Sequence, residues 1–82
     1  MSYRIEIAAP ARKFIERQPR QQQERILKAI AKLPTEGDIK PLRGQPQIFR
    51  LRVGDYRIIY TIRNELLQIL ILNVGNRGDI YK

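Results

Sequence analysis

The sequence predicts a small α+β domain in which a strand and two helices precede a three-stranded antiparallel meander, all strands forming one sheet. Three observations carry this prediction: alternation of apolar and polar residues near both ends, helical spacing of apolar residues between Pro10 and Leu33, and a glycine-containing turn between two alternating runs. A chain of 82 residues buries only a thin core. We therefore expect a single domain over residues 1–82.

The N-terminal third predicts a strand followed by an αα-hairpin. Alternation over Ser2–Ile7 indicates a strand with one buried face. Pro10 suits the first turn of a helix over Pro10–Arg17. A second helix over Arg20–Leu33 ends at Pro34. Its apolar stripe consists of Ile26, Leu27, Ile30 and Leu33. We expect both helices to lie on a sheet.

The segment from Ile48 to Tyr60 predicts a β-hairpin whose two faces differ in chemistry. Gly54 and Asp55 suit a two-residue type II′ turn. In that register the apolar pairs on one face are Val53 with Tyr56, Leu51 with Ile58, and Phe49 with Tyr60. The other face sets Arg52 directly opposite Arg57, with Arg50 two residues along. Opposed like charges cost about 0.2 to 1 kcal/mol, so the arrangement indicates an anionic ligand such as phosphate.

The segments on either side of this hairpin predict a loop and a strand. Pro41, Gly44 and Pro46 indicate a loop over Thr35–Gln47. After a turn at residues 63–65, a strand over Leu66–Val74 places Leu67, Ile69 and Ile71 on the core face. Its other face carries a row formed by Leu70, Leu72 and Val74. Such two-sided apolarity is typical of a central strand or of a surface that another chain covers.

Composition limits the possible partners and chemistry. Sixteen Lys and Arg against eight Asp and Glu give a net charge of +8, which favours nucleic acid or an acidic protein as partner. The chain has no cysteine and no histidine, so we expect no disulfide, no metal site and no histidine acid–base pair. No apolar run approaches the ~20 residues of a membrane span. These features favour a cytoplasmic protein without a cofactor.

Three segments together resemble one family of toxins. They are Lys40-Pro41-Leu42-Arg43-Gly44, the hairpin Phe49–Tyr60, and Val74-Gly75-Asn76-Arg77 followed by Tyr81. By these residues the chain resembles the RelE branch of the RelE/ParE toxin superfamily, over nearly its whole length. The resemblance implies the RelE-like microbial ribonuclease fold.

The resemblance also implies an activity and partners. Members of this branch are toxins of type II toxin–antitoxin pairs that cleave mRNA in the ribosomal A site. They work without metal, using the RNA 2′-OH as nucleophile. The implied partners are the ribosome, mRNA and a small acidic antitoxin. We expect a monomeric free toxin that forms a higher-order complex with its antitoxin, and we expect the apolar row Leu70, Leu72 and Val74 to contact that antitoxin.

Residue by residue, the resemblance assigns a catalytic set and an RNA-binding pair. The family's catalytic positions fall on Arg50, Arg52, Arg57, Arg77 and Tyr81. Its RNA-binding positions fall on Lys40 and Arg43. The best-known members carry lysine at the first two catalytic positions, and arginine cannot act as a base. The general base is therefore Tyr81, a ribosomal RNA group or an unidentified group.

Two other classes of function fit parts of the pattern. The ParE branch shares the fold but inhibits DNA gyrase, and it lacks the full set of arginines and tyrosine. A non-catalytic RNA-binding module explains the charge but not the arginine geometry. An ordinary solvated sheet face also explains alternating arginines, although not the opposed Arg52 and Arg57.

Overall fold

The computed structural model describes residues 3–76, in which two helices pack on one face of a five-stranded sheet. The elements are β1 (Arg4–Ile7), α1 (Ala9–Glu16), α2 (Arg20–Ala31), β2 (Asp38–Leu42), β3 (Gln45–Val53), β4 (Tyr56–Arg63) and β5 (Gln68–Gly75). The strand order is β1-β5-β4-β3-β2, with β1 parallel to β5 and all other neighbours antiparallel. The predicted α+β class and the order of strand, helices and meander are confirmed, but the meander has four strands, β2 to β5, where three were predicted.

The two helices form the predicted αα-hairpin. Pro10 lies in the first turn of α1, where its missing N–H group costs no hydrogen bond. Ala11 and Ile15 of α1 and Ile26 and Ile30 of α2 are buried in the core. Leu27 is wrongly predicted as a core residue, since 43% of its surface is exposed. The two helices therefore present narrow apolar stripes to one face of the sheet.

The predicted loop over Thr35–Gln47 is wrong, because this segment contains β2 and the start of β3. Ile39 packs against the core while Asp38 and Lys40 on either side are exposed, which is the alternation of a strand. β2 lies at the edge of the sheet. An edge strand tolerates Pro41, because one side of its backbone has no neighbour to bond.

The β3–β4 hairpin has the predicted register. Gly54 has φ of +58° and Asp55 does not share this positive φ, as a type II′ turn requires. The predicted pairs Val53 with Tyr56, Leu51 with Ile58, Phe49 with Tyr60, and Arg52 with Arg57 are all present. Burial of the first three pairs against the helices defines a core face. The opposite face of the sheet, which carries Arg50, Arg52 and Arg57, is called the outer face from here on.

β5 departs from its predicted register at both ends. A four-residue connection, 64–67, replaces the predicted turn at residues 63–65. Leu67 lies in this connection with φ of 48°. Ile69 and Ile71 nevertheless reach the core face and are fully buried. A β-bulge follows, because Tyr60 pairs with Ile71 while the preceding Ile59 pairs with Asn73.

The bulge corrects one predicted surface residue. Leu72 has no counterpart on β4, so the alternation of faces reverses after it. Val74 consequently lies opposite Ile58 on the core face and is only 3% exposed. The prediction that Val74 continues an outer row with Leu70 and Leu72 is therefore wrong. Leu70, opposite Thr61, does lie on the outer face, half-buried.

The core is a single cluster between the helices and the sheet. Its largest fully buried side chains are Tyr60, Ile26, Leu51, Ile58, Ile69 and Ile71. Phe49 stacks on Tyr60 at 5.5 Å between ring centroids, and Phe14 meets Tyr56 edge-to-face at 6.1 Å. Neither helix in residues 3–76 has the length and apolarity to cross a membrane.

Candidate active site

The outer face brings together four of the predicted site residues from three adjacent strands. Arg52 and Arg57 are direct cross-strand partners on β3 and β4. Arg50 lies two residues before Arg52 on β3. The direct cross-strand partner of Arg50 is Lys40 on β2. Directly opposed residues of a sheet have Cβ atoms about 4.5 to 5.5 Å apart. The register therefore concentrates four cationic side chains on one patch of the sheet.

Among the described residues, the guanidinium groups of Arg52 and Arg57 each make one long hydrogen bond, to the backbone. Arg52 Nε donates to the carbonyl oxygen of Gly54 at 3.4 Å, and Arg57 Nη1 donates to that of Tyr56, also at 3.4 Å. Among residues 3–76 neither group is within ion-pair distance of a carboxylate. Most of their donor capacity is therefore available to an anion, since a guanidinium has five N–H donors.

Arg50 has a carboxylate partner that the sequence analysis missed. Its Nη2 atom lies 3.1 Å from Oδ1 of Asp38 on β2. Asp38 was assigned to a loop, so no register relative to Arg50 or Arg52 was predicted. The alternation of Asp38, Ile39 and Lys40 around one buried apolar residue is the signal that could have placed this carboxylate on the arginine face.

The remaining predicted site residues lie apart from this patch or outside the described residues. Arg43 is exposed in the turn between β2 and β3. β3 separates it from Arg52 by about 20 Å, at ~3.3 Å per residue. Arg77 and Tyr81 lie outside the residues that the structure describes. Lys40 therefore lies beside the arginines, whereas Arg43 lies three residues further along the chain, in the turn beyond β2.

The tyrosines of the hairpin serve packing. Tyr60 is 1% exposed on the core face, and burial raises the pKa of its hydroxyl above the ordinary value. Tyr56 donates a hydrogen bond from its hydroxyl to Oε1 of Gln18, at 3.0 Å. Neither side chain lies on the outer face with the arginines. Neither is therefore a candidate for proton transfer at a ligand bound there.

The hollows on the described part of the surface lie away from the arginine patch. Hollows of about 320, 380 and 420 Å³ occur elsewhere, and their linings include none of Lys40, Arg50, Arg52 and Arg57. No group of three or more carboxylates that could hold a metal ion occurs within residues 3–76. What the described patch offers a ligand is a set of preoriented cationic donors, which suits phosphate oxygens.

Comparison with known proteins identifies the family. The model of the family described as the ParE toxin of type II toxin–antitoxin system, parDE, matches residues 5–81. The toxin RelG of Mycobacterium tuberculosis is 34% identical to this chain, over all of this chain and 99% of that protein. The chain therefore belongs to the ParE toxin family of type II toxin–antitoxin systems, within the RelE/ParE superfamily.

Solved structures of RelE proteins share this fold. The archaeal RelE–RelB complex from Pyrococcus horikoshii OT3 contains a chain with a TM-score of 0.79 and 29% identity, covering 96% of this chain and 99% of that one. The toxin–antitoxin complex RelBE2 of M. tuberculosis gives a TM-score of 0.79 at 26% identity, covering 94% and 100%. Both relatives are seen with an antitoxin. The RelE-like fold expected from the sequence is confirmed.

Proposed function

We propose that this toxin is a ribosome-dependent endoribonuclease that cleaves mRNA in the ribosomal A site and so inhibits translation. The observation that carries the proposal is the outer-face patch of Lys40, Arg50, Arg52 and Arg57. Family membership supports a toxin, and the patch supports RNA phosphate as its target. An ordinary solvated sheet face gives no reason for two opposed arginines that form no ion pair with a carboxylate among residues 3–76.

The proposed reaction needs positive charge at phosphorus and no cofactor. The RNA 2′-oxygen forms a bond to the adjacent phosphorus while the bond from phosphorus to the 5′-oxygen breaks. The products are a 2′,3′-cyclic phosphate and a 5′-OH end, which receives a proton. Negative charge accumulates on the equatorial oxygens, and oriented cations stabilise that charge most in the transition state. We assign this role to the guanidinium groups of Arg57 and Arg77, with Arg50 and Arg52 on the same phosphate.

Proton transfer in this proposal relies on a group outside the described patch. Arginine keeps its proton, so Arg50, Arg52 and Arg57 cannot take the proton of the 2′-OH. The family resemblance assigns Tyr81 to stacking on a base or exchanging a proton. A ribosomal RNA group is the other candidate for the general base. The mechanism is thus expected to run without a protein-bound metal ion.

Dependence on the ribosome is proposed because the arginines of the patch offer charge but do not accept the proton of the 2′-OH. The three hollows found among residues 3–76 are not lined by Arg50, Arg52 or Arg57. A flexible RNA strand on such a patch is not held with its 2′-oxygen in line with the leaving oxygen. Holding reactants in line contributes ~7 to 11 kcal/mol in well-oriented systems. The ribosome supplies this alignment in our proposal, with Arg43 and Lys40 holding the RNA backbone.

The proposed silencing partner is a small acidic antitoxin. Two of the similar toxins were solved together with an antitoxin. A net charge of +8 speeds encounter with an acidic chain, while apolar burial supplies affinity. Leu70 on the outer face and Leu72 at the bulge are the proposed apolar contacts. We place the free toxin in the cytoplasm as a monomer, and the antitoxin-bound form in a higher-order complex.

Gyrase inhibition is the second candidate, because the matching family model is described by ParE. A single pair of assays separates the two targets. Purified protein is incubated with ribosomes programmed with a defined mRNA, and separately with gyrase and supercoiled plasmid. We expect mRNA cuts confined to the A-site codon, cyclic phosphate ends and unchanged gyrase products. Linearised plasmid with intact mRNA would overturn the proposal.

A modified mRNA tests the proposed nucleophile on the same ribosomes. Replacing the 2′-OH by hydrogen at the cleaved nucleotide should abolish cutting at that bond, because no nucleophile remains there. Cutting of the 2′-deoxy substrate at the same rate would mean that water or a protein group attacks phosphorus.

A further inference from the structure

One carboxylate lies within the arginine patch, at a position where it opposes the charge of the patch. Asp38 is the direct cross-strand partner of Arg52, and its Oδ1 atom lies 3.1 Å from Nη2 of Arg50. A negative charge at this place weakens the attraction of the patch for phosphate. A face that only collects RNA would gain affinity without it. The position of Asp38 therefore calls for a role other than binding RNA.

Arg50 differs from the other ion-paired arginines in how tightly it is held. Its side chain is 13% exposed, whereas the side chains of Arg4 and Arg20, each paired with a glutamate, are 71% and 92% exposed. Ile59 on β4 is the direct cross-strand partner of Arg50, and it is likewise only 6% exposed although it lies on the outer face. Other atoms of the protein therefore cover most of the Arg50 side chain, and the carboxylate of Asp38 contacts its guanidinium.

Arg50 also has unused hydrogen-bonding capacity. Its Nε atom is buried and has no hydrogen-bond partner among the described residues. A buried donor without an acceptor costs free energy. The pair with Asp38 is the contact that holds the guanidinium in this conformation.

From these observations we propose that Asp38 is a positioning residue, which fixes the guanidinium of Arg50 on the outer face so that it meets phosphate without reorganising. The inference rests on the proposed ribonuclease function. Asp38 acts through Arg50 and does not touch the reacting atoms. Preorganised charge stabilises the transition state more than the same charge on a mobile side chain.

The proposal predicts changes of opposite sign in binding and turnover. Asp38→Asn removes a negative charge from the patch, so the toxin should bind RNA as tightly as the wild type or more tightly. The salt dependence of binding to a single strand should steepen, by up to about 0.7 in log–log slope for one further phosphate neutralised. Single-turnover cleavage at saturating toxin should fall by about 10-fold to 100-fold, because Arg50 is no longer fixed.

Two further variants make the test specific. Asp38→Glu keeps the carboxylate and should recover most of the lost turnover. Glu6→Gln is the charge-matched control, since Glu6 also pairs with an arginine on the outer face, at 3.6 Å from Arg4, and lies away from the patch on β1. Glu6→Gln should leave single-turnover cleavage unchanged.

A spectroscopic measurement follows Arg50 itself. The ¹⁵N–¹H signal of Arg50 Nε, assigned with an Arg50→Lys variant, should exchange slowly with water in the wild type because the atom is buried. Its exchange should be faster by at least 10-fold in Asp38→Asn. Because this readout needs no ribosome, it separates failure of the positioning role from failure of the ribonuclease proposal.

Four results of these measurements would overturn the positioning role, and a changed pH–rate profile would be a fifth. The first is unchanged turnover in Asp38→Asn, and the second is a fall in that variant of turnover together with RNA binding and thermal midpoint. The third is an effect of Glu6→Gln equal to that of Asp38→Asn, and the fourth is unchanged hydrogen exchange at Arg50 Nε. Loss of one limb of the pH–rate profile in Asp38→Asn would instead make Asp38 the general base and would also overturn the role. A profile that keeps its shape at lower rates supports the role.

Discussion

The two faces of the β3–β4 hairpin alternate residue by residue yet serve different purposes. On the core face, Leu51, Ile58 and Tyr60 are at most 1% exposed and lie beneath the helices. On the outer face, Arg52 and Arg57 oppose each other and form no ion pair with a carboxylate among residues 3–76. The core face thus stabilises the folded state, whereas the concentrated charge on the outer face destabilises it. Neighbouring positions such as Arg57 and Ile58 should therefore fail in different ways.

The strongest contrast is expected at β5, where the bulge sets Val74 and Leu70 on different faces. Val74→Asp places a carboxylate in the core, which costs several kcal/mol in a small domain. We expect this variant to be largely unfolded by circular dichroism. Leu70→Asp should remain folded, with a thermal midpoint close to that of the wild type, because Leu70 is half-buried on the outer face.

The same pair of variants tests the antitoxin surface. Leu70→Asp should weaken binding of the cognate antitoxin by about 10-fold or more in a calorimetric titration, as loss of an apolar anchor costs more than about 1 kcal/mol. Unchanged affinity in a folded Leu70→Asp variant would remove Leu70 from the interface. A folded Val74→Asp variant would contradict the register after the bulge.

A core-face truncation within the hairpin comes next in size. Ile58→Ala leaves a cavity at a fully buried position and should lower the free energy of unfolding by about 2 to 5 kcal/mol. Urea denaturation measures this loss. Cleavage by the fraction that stays folded should keep the wild-type rate per folded molecule, because Ile58 does not reach the outer face. A lower rate per folded molecule would mean that the two faces are not independent.

The smallest effect is expected at the turn that joins β3 to β4. Gly54→Ala puts a side chain at φ of +58°, which costs about 1 to 2 kcal/mol. The new Cβ would also lie 2.9 Å from Nη1 and Nη2 of Arg25, on α2. Gly44→Ala is the matched control, with φ of +76° and nothing within 4 Å of its Cβ. In urea denaturation the Gly54 variant should lose more stability than the Gly44 variant, by the cost of displacing Arg25.

Local chemistry explains which parts of this fold could be predicted. A glycine that favours positive φ fixed the turn at Gly54, and strict alternation then fixed every partner in the hairpin, including Arg52 opposite Arg57. The two helices could likewise be predicted, from the helical spacing of apolar residues and from Pro10. In these segments short-range signals and tertiary packing agree.

The errors arose where tertiary contacts decide the local conformation. β2 contains Pro41 and precedes Gly44, which are loop signals, and only its position at the sheet edge makes the proline acceptable. The bulge at Leu72 inserts one residue without a glycine or proline to mark it, so Val74 was placed on the wrong face. Asp38 was missed as a consequence of the loop assigned to β2.

The most direct test of the account is the single-turnover cleavage rate of Arg57→Ala on programmed ribosomes, measured beside its thermal midpoint. Arg57 lies on the outer face next to the core residue Ile58, so its removal should leave the thermal midpoint close to that of the wild type. The account predicts a fall in the A-site cleavage rate of roughly 10²-fold to 10³-fold, as for loss of one donor to a developing oxyanion. Wild-type cleavage by a folded Arg57→Ala protein would contradict the claim that the outer arginine face performs the chemistry.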